Sequence, residues 1–187
     1  PYVKITIPEN AKLNSVNILN GSGNVSIEKD LRVDIVSIYA DDGNVRLDGW
    51  RGDTLKMETE YGELLTGTLS GDDVNVYGDY GSIQIGALKV DTAVIGTEYG
   101  DVSADVEAAQ SLEVESSDGD VRLDLSGKME DYGVSLYSEY GTIRVPQGTV
   151  ESDDYDGSSS YTRLGTNQDT AVIQVYTDYG DIRIREK

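Results

Sequence analysis

The sequence predicts an all-β fold, a β-solenoid of about nine coils with about 19 residues in each coil. Three observations predict it: a seven-residue string recurs, its glycine returns at a nearly constant spacing, and apolar residues alternate on both sides of that glycine. The string reads EYGDVSA at 98–104, DYGSIQI at 79–85 and DYGDIRI at 178–184. In such a fold, residues one coil apart lie above one another at about 4.8 Å.

The repeat is aligned on its glycine. The aligned positions are Gly23, Gly43, Gly62, Gly81, Gly100, Gly119, Gly141 and Gly180. Successive spacings are 20, 19, 19, 19, 19, 22 and 39 residues, and the last is counted as two periods because SSYTRL at 159–164 keeps the apolar pattern with Ser160 in place of glycine. Glycine tolerates a positive φ that a Cβ would oppose. The repeated string is therefore interpreted as a structural turn.

Each repeat carries three short apolar faces. Apolar pairs lie seven and five residues before the glycine, and again two and four residues after it, which is the alternation of a β-strand. A third apolar position follows about seven residues after the glycine, at Leu31, Trp50, Leu69 and Leu88. The residue three positions before the glycine is small in nearly every repeat, which predicts a tight corner.

The main alternative is an antiparallel sandwich in which the Tyr-Gly pair forms a hairpin turn. Sandwich loops vary in length, whereas five consecutive spacings here differ by at most one residue, and propeller repeats are about twice as long. We expect one solenoid domain over 1–187, with an N-terminal strand and first coil at 1–20. An irregular coil or loop is expected at 146–161, and a smaller bulge at the insertion GKMEDYG, 127–133.

The composition excludes several classes of function. Thirty-five acidic and fifteen basic residues give a net charge of −20, which repels nucleic acid and anionic lipid, so we expect neither nucleic-acid binding nor direct membrane binding by this segment. The chain has no cysteine and no histidine, which removes disulfides, thiolate zinc sites and the usual Ser-His-Asp and Cys-His catalysis. We expect no enzymatic activity, no catalytic residue, no cofactor and no bound metal.

The repeat, Asp or Glu followed by Tyr-Gly or Asp-Gly and then alternating apolar residues, is preceded by a strand that ends in proline, KITIP at 4–8. This pattern resembles a bacterial family of unknown function whose members are labelled adhesins, and the resemblance covers essentially the whole chain. It implies a right-handed, single-stranded β-helix. It also implies an extracellular or cell-surface location behind an anchoring segment absent from this chain. It supplies no catalytic residues.

Stacked coils turn repeated residue types into ladders on the outer surface. One ladder consists of Tyr61, Tyr80, Tyr99, Tyr140 and Tyr179, which all directly precede an aligned glycine. Its rings either stabilise the coil stack or bind sugars or proteins. An acidic ladder precedes it, formed by Glu60, Asp79 and Glu98. We interpret these acids as solvated turn carboxylates, with calcium binding as the alternative.

An arginine ladder is also predicted three residues after the alignment position. Its members are Arg122, Arg144, Arg163 and Arg183, expected on four successive coils. Ion pairs with nearby aspartates are the simpler interpretation, and such pairs contribute little when exposed. The functional alternative is a strip that grips an anionic polymer through bidentate contacts.

The sequence thus predicts a non-catalytic extracellular scaffold or binding module, an adhesin-like surface protein whose partner is a protein or a surface glycan. The alternative is a glycan-binding or carbohydrate-active β-helix that uses the tyrosine and arginine ladders. A third hypothesis is end-to-end polymerisation through an uncovered terminal coil, which the charged tail REK at 185–187 disfavours at the carboxyl end. The pattern predicts no particular oligomeric state.

Overall fold

The computed structural model describes residues 11–150, 158–163 and 171–187. Its strands are β1 (Ser15–Ser22), β2 (Val25–Arg32), β3 (Ile35–Asp42), β4 (Val45–Tyr61), β5 (Leu64–Tyr80), β6 (Ile83–Tyr99), β7 (Val102–Asp118), β8 (Val121–Leu125), β9 (Gly133–Ser138), β10 (Ile143–Val145), β11 (Gly148–Val150), β12 (Ser159–Arg163), β13 (Val172–Tyr179) and β14 (Ile182–Glu186). A 3₁₀ helix spans Met129–Asp131. The predicted all-β solenoid is confirmed, since all fourteen strands join one hydrogen-bonded system.

Parallel pairing joins residues one period apart. Val45 pairs with Leu64, Leu64 with Ile83, and Ile83 with Val102, so the offset is 19 residues at each step. Hairpins of a sandwich would instead pair neighbouring strands in antiparallel fashion. The sandwich alternative is therefore wrong, and the repeated string does mark the corner of a coil.

The core lies inside the coils, where the alternating apolar residues point. Val36 and Ile38 are buried in β3, and the equivalent positions are buried in the coils that follow. The third apolar position also faces inward: Trp50, Leu69 and Leu88 are at most 2% exposed. Leu31, in the first coil, is only partly buried. The indole Nε1–H of Trp50 donates to the carbonyl oxygen of Val33 at 2.9 Å, which satisfies the polar atom that this large side chain carries into the core.

The corner glycines are required mainly by the close approach of successive coils. A Cβ on Gly43 would lie 2.3 Å from the carbonyl oxygen of Gly23, and one on Gly100 would lie 2.3 Å from that of Gly81. Gly43 has φ +144°, whereas Gly100 does not have a positive φ. The expectation that positive φ explains the whole series is therefore wrong: it applies to the first four corners only.

The small residue three positions before the corner glycine is a buried hydrogen-bond donor in five of the coils. Thr177 Oγ1 donates to the carbonyl oxygen of Gly119 at 3.3 Å, and Ser138 Oγ donates to that of Gly180 at 2.9 Å. Thr59, Thr97 and Ser116 make the same contact. The hydroxyl thus satisfies a carbonyl of the neighbouring coil at a place where only a short side chain fits.

The coils do not all follow one another in chain order. Roughly six do so, from β1 to β8, and not the nine that the spacing predicts. β13 then lies between β7 and β9, and β14 lies between β8 and β10. The C-terminal coil, formed by β13 and β14, is therefore inserted between the sixth coil and a layer made of earlier residues, β9 and β10.

Two reversed strands cover the described stack at the end opposite β1. β11 pairs antiparallel with β10, and β12 pairs antiparallel with β9. Residues 159–163, the described part of the segment counted as a coil at 159–164, belong to this cover, because Ser160 pairs with Tyr137 and does not form a corner. Of the region 146–161, residues 148–150 and 159–161 lie in these two reversed strands, and residues 151–157 lie outside the described residues. So does most of the expected N-terminal strand, at 1–10.

The insertion at 127–133 is more than the expected bulge. Its 3₁₀ helix buries Met129 completely, and Tyr132 is also buried against the core. The backbone N–H of Met129 donates to Glu186 Oε1 at 2.8 Å, and Lys187 Nζ lies 2.6 Å from Asp105 Oδ2. The tail 185–187 therefore lies beside the sixth coil, and no described strand pairs with its other side, so its effect on end-to-end polymerisation stays a prediction.

Candidate ligand-binding surface

The predicted tyrosine ladder is present on the outer surface. Ring centroids are 5.1 Å apart between Tyr61 and Tyr80 and 4.9 Å apart between Tyr80 and Tyr99, with interplanar angles of 6° and 8°. About half of each side chain is exposed. Because both faces of the Tyr80 ring are covered by its neighbours, the ladder offers solvent mainly ring edges and hydroxyl groups.

The tyrosine ladder is interrupted further along the stack. Asp118 takes its place in the sixth coil, between Tyr99 and Tyr179. Tyr179 then stacks on Tyr140 at 4.8 Å. The sequence pattern alone treats these five tyrosines as one row, whereas the structure divides them into a group of three and a pair.

The acidic ladder lies beside the tyrosines. Glu60 Oε1 accepts a hydrogen bond from the Tyr39 hydroxyl at 2.6 Å, and this bond raises the pKa of Tyr39 to about 12. The pKa of Asp41 is raised by burial and by the negative charge of Glu60. Among the residues that the structure describes, no group of three carboxylates is arranged to hold a metal ion.

Three of the four predicted arginines form one row, in an order that differs from the chain order. Arg183 pairs with Arg122 on one side and with Arg144 on the other. Arg163 is not part of this row: it lies in the reversed strand β12 opposite Val134. The prediction for Arg163 is wrong because residues 159–163 form a reversed strand and not part of a coil. We call Arg122, Arg183 and Arg144 the arginine strip.

The three members of the arginine strip differ in their partners. Arg122 Nη2 lies 2.7 Å from Asp124 Oδ2, and this hydrogen bond raises the pKa of Arg122. Arg144 Nη1 lies 2.9 Å from Asp181 Oδ2. Arg183, the central and exposed member, makes no hydrogen bond or ion pair with any described residue. The ion-pair interpretation therefore holds for the two outer arginines and not for the central one.

The residue that follows the corner glycine forms a further, unexpected ladder, in which five side chains accept a backbone N–H of the neighbouring coil. Asp101 Oδ1 accepts from the backbone N–H of Asp120 at 2.9 Å, Asp120 Oδ1 from that of Asp181 at 2.8 Å, and Asp181 Oδ1 from that of Thr142 at 2.8 Å. Asn24 and Asn44 make the same contact near the other end of the stack. Sequence reasoning missed this ladder, although Asn or Asp directly after the repeated glycine was its visible signal.

A shallow, open depression of about 450 Å³ lies over the arginine strip. Its polar lining includes the three arginines together with Ser82, Gln84 and Ser103. The corner residues Asp101, Asp120 and Asp181 also line it. The depression thus presents guanidinium, carboxylate, hydroxyl and amide groups side by side on one exposed surface.

A parallel solenoid that carries rows of like side chains on its outer surface belongs to the extended repeat proteins, in which function resides in the surface residues and not in the fold. The chain belongs to the Toastrack DUF4097 family, whose model matches residues 1–185. The expected membership in a family of unknown function is thereby confirmed, whereas the match gives no support to the adhesin label. No curated protein and no solved structure matches the chain. No helix with the length and apolar character of a membrane span occurs in residues 11–150, 158–163 and 171–187.

Proposed function

We propose that this protein is a non-catalytic scaffold or binding module, displayed outside the cell like an adhesin, whose repetitive outer surface contacts a partner. The observation that carries the proposal is the parallel register, which aligns like side chains in rows along the stack. Successive members of a row are about 4.8 Å apart. Such a surface suits a partner that offers several regularly spaced groups, a glycan or an extended protein segment.

The chemistry of the exposed rows supports binding without catalysis. The chain has no histidine or cysteine to act as a general base or nucleophile. The corner aspartates in the depression each use one carboxylate oxygen to accept a backbone N–H of the next coil. These hydrogen bonds stabilise the contact between coils, and they explain the positions of the corner aspartates without a catalytic role.

The tyrosine ladder supports the stability of the rod more than sugar binding. A sugar ring stacks on the face of an aromatic ring, and the Tyr80 faces are occupied by Tyr61 and Tyr99. The depression favours a glycan at a different place, since Arg183 lies there with no carboxylate partner in the part of the chain that the structure describes. The second candidate function, a glycan-binding β-helix, therefore depends on the arginine strip.

Binding of the labelled, intact chain to an array of neutral and acidic glycans, and to defined extracellular matrix proteins, tests the proposed function. We expect saturable binding to at least one class. The double variant Tyr80→Ser/Tyr99→Ser should melt at a lower temperature and bind as the unchanged chain does. No saturable binding to any glycan or protein would overturn the binding module, and new reducing ends released from a bound glycan would overturn its non-catalytic character.

A further inference from the structure

We propose that the arginine strip binds an acidic polysaccharide, a glycan with a carboxylate on successive sugar units, and that the site is complete only when the C-terminal coil is seated. This inference deepens the proposed function and rests on it. It names the ligand class and the surface, and it adds a coupling between ligand and fold.

The strand register brings the three charges together on one face. Each arginine lies between two buried apolar residues of its strand, as Arg183 lies between Ile182 and Ile184, so its side chain points outward. Adjacent strands are about 4.8 Å apart, so the three guanidinium groups lie close together. Asp124 and Asp181 offset the charges of Arg122 and Arg144, which leaves Arg183 as the member of the strip with no carboxylate partner among the described residues. Arg183 has its guanidinium available for a bidentate contact with a carboxylate.

The row extends beyond the arginines with neutral polar groups. Gln84 pairs with Ser103, and Ser103 pairs with Arg122. Gln84, Ser103 and the arginine strip thus occupy five adjacent strands, and four strand spacings give a length of about 19 Å. A linear ligand along the axis of the stack would meet hydroxyl and amide groups at one end of the row and guanidinium groups at the other.

The surrounding carboxylates decide which anion fits. The chain carries a net charge of −20, and Asp101, Asp120 and Asp181 line the same depression. A polymer with a dense phosphate backbone would meet these acids as well as the arginines. An acidic sugar offers one carboxylate for a guanidinium and several hydroxyl donors for the aspartates. The alternation of cation and anion on the protein therefore favours an acidic polysaccharide over a nucleic acid or polyphosphate.

The central arginine is supplied by the inserted coil. Arg183 lies in β14, which pairs with β8 on one side and β10 on the other. Without β14, Arg122 and Arg144 would be separated by an empty layer, about 9.6 Å apart at two strand spacings. A ligand that contacts Arg183 binds the seated coil better than the displaced one. By mass action it must stabilise the seated coil.

Titration of the intact chain with polygalacturonate at low salt, followed by calorimetry, tests the site. Arg183→Gln is the variant. Arg46→Gln is the matched control, because Arg46 occupies the same position on an early coil and pairs with Asp48 at 2.9 Å, as Arg122 pairs with Asp124. We expect a loss of affinity of at least about tenfold for Arg183→Gln, and no change for Arg46→Gln. Neutral dextran should not bind.

Hydrogen exchange in the same samples tests the coupling. Polygalacturonate should slow amide exchange in β13 and β14 more than in β1 and β3. The Arg183→Gln variant should not show this difference. Without ligand, the variant should show the exchange pattern of a folded chain. Equal affinity of the wild type and Arg183→Gln would overturn the site, as would equal losses in both variants. Tighter binding of polyphosphate or single-stranded DNA would overturn the ligand class. Saturable binding of another glycan or of a protein, unaffected by Arg183→Gln, would overturn this inference and leave the binding module standing.

Discussion

Substitution of Gly100 by alanine tests whether the coils are in direct backbone contact. The added Cβ would lie 2.3 Å from the carbonyl oxygen of Gly81, whereas real Cβ atoms essentially never approach closer than 3.0 Å. The two coils must therefore separate locally by about 0.7 Å, the difference between these distances. Two backbone hydrogen bonds flank the contact, Gly81 N–H to Tyr99 O at 3.0 Å and Ile83 N–H to Asp101 O at 2.8 Å.

The same displacement would lengthen these two bonds to about 3.5–3.7 Å, beyond useful hydrogen-bond length. At about 1 kcal/mol for each bond, with a further 1–2 kcal/mol of packing strain, the free energy of unfolding should fall by about 3–4 kcal/mol. The melting temperature should fall by roughly 10 °C for a chain of this size. Urea denaturation followed by circular dichroism measures the first quantity, and a thermal scan measures the second.

Two other glycines provide controls. Nothing lies within 4 Å of a Cβ on Gly21, so Gly21→Ala should change stability by less than about 0.5 kcal/mol. Gly23 is equally open but has φ +96°, so Gly23→Ala should cost about 1–2 kcal/mol through backbone strain alone. If Gly100→Ala proved no more destabilising than Gly21→Ala, the argument from coil-to-coil contact would be refuted.

Three further predictions concern the core, the corner and the outer surface. Trp50→Phe removes the buried hydrogen bond to the Val33 carbonyl and should lower the free energy of unfolding by about 2 kcal/mol in urea denaturation; an unchanged midpoint would contradict that role. Thr177→Val keeps the shape of the side chain but loses the hydroxyl that satisfies a corner carbonyl, and should cost about 1 kcal/mol in the same assay. The pKa of Tyr39 is raised from 10.0 to about 12 by its hydrogen bond to Glu60, so its stabilisation is fully present below about pH 10 and is lost as the pH rises through 12. The stability difference between the wild type and Tyr39→Phe should therefore shrink in that window, and a constant difference would exclude the linkage.

The inside-outside pattern of the coils could be predicted because it depends only on local alternation and a constant period. Buried pairs such as Val36/Ile38 and the inward position of Trp50 follow directly from that pattern. The glycine corners could also be located from the sequence. The main physical reason for glycine at these corners could not be predicted. It is a clash between neighbouring coils, which depends on the distance between their backbones, and the spacing of residues in the sequence does not give that distance.

The order of the coils could not be predicted, because every coil offers the same apolar faces to its neighbours. A gap of 39 residues fits an extra coil as well as it fits an excursion followed by insertion. The prediction for Arg163 was therefore wrong. Arg122, Arg144 and Arg183 were correctly predicted to point outward, but the order in which their strands stack was predicted wrongly. The signal for the reversal lay in region 146–161, where the repeat pattern breaks down.

The inserted C-terminal coil has a consequence for how the chain reaches its folded state. A ribosome releases β13 and β14 after β9 and β10, yet their places lie between strands that are synthesised earlier. Vectorial addition of one layer after another therefore cannot complete this rod. The final step joins segments distant in sequence, such as Val175 with Val114, and such long-range closure is slow because the loop entropy is lost before the contacts form. A permuted gene that encoded residues 171–187 after 125, joined by a linker of about three residues to match the four that separate Val106 from Ser111, would restore the linear order and remove that late step.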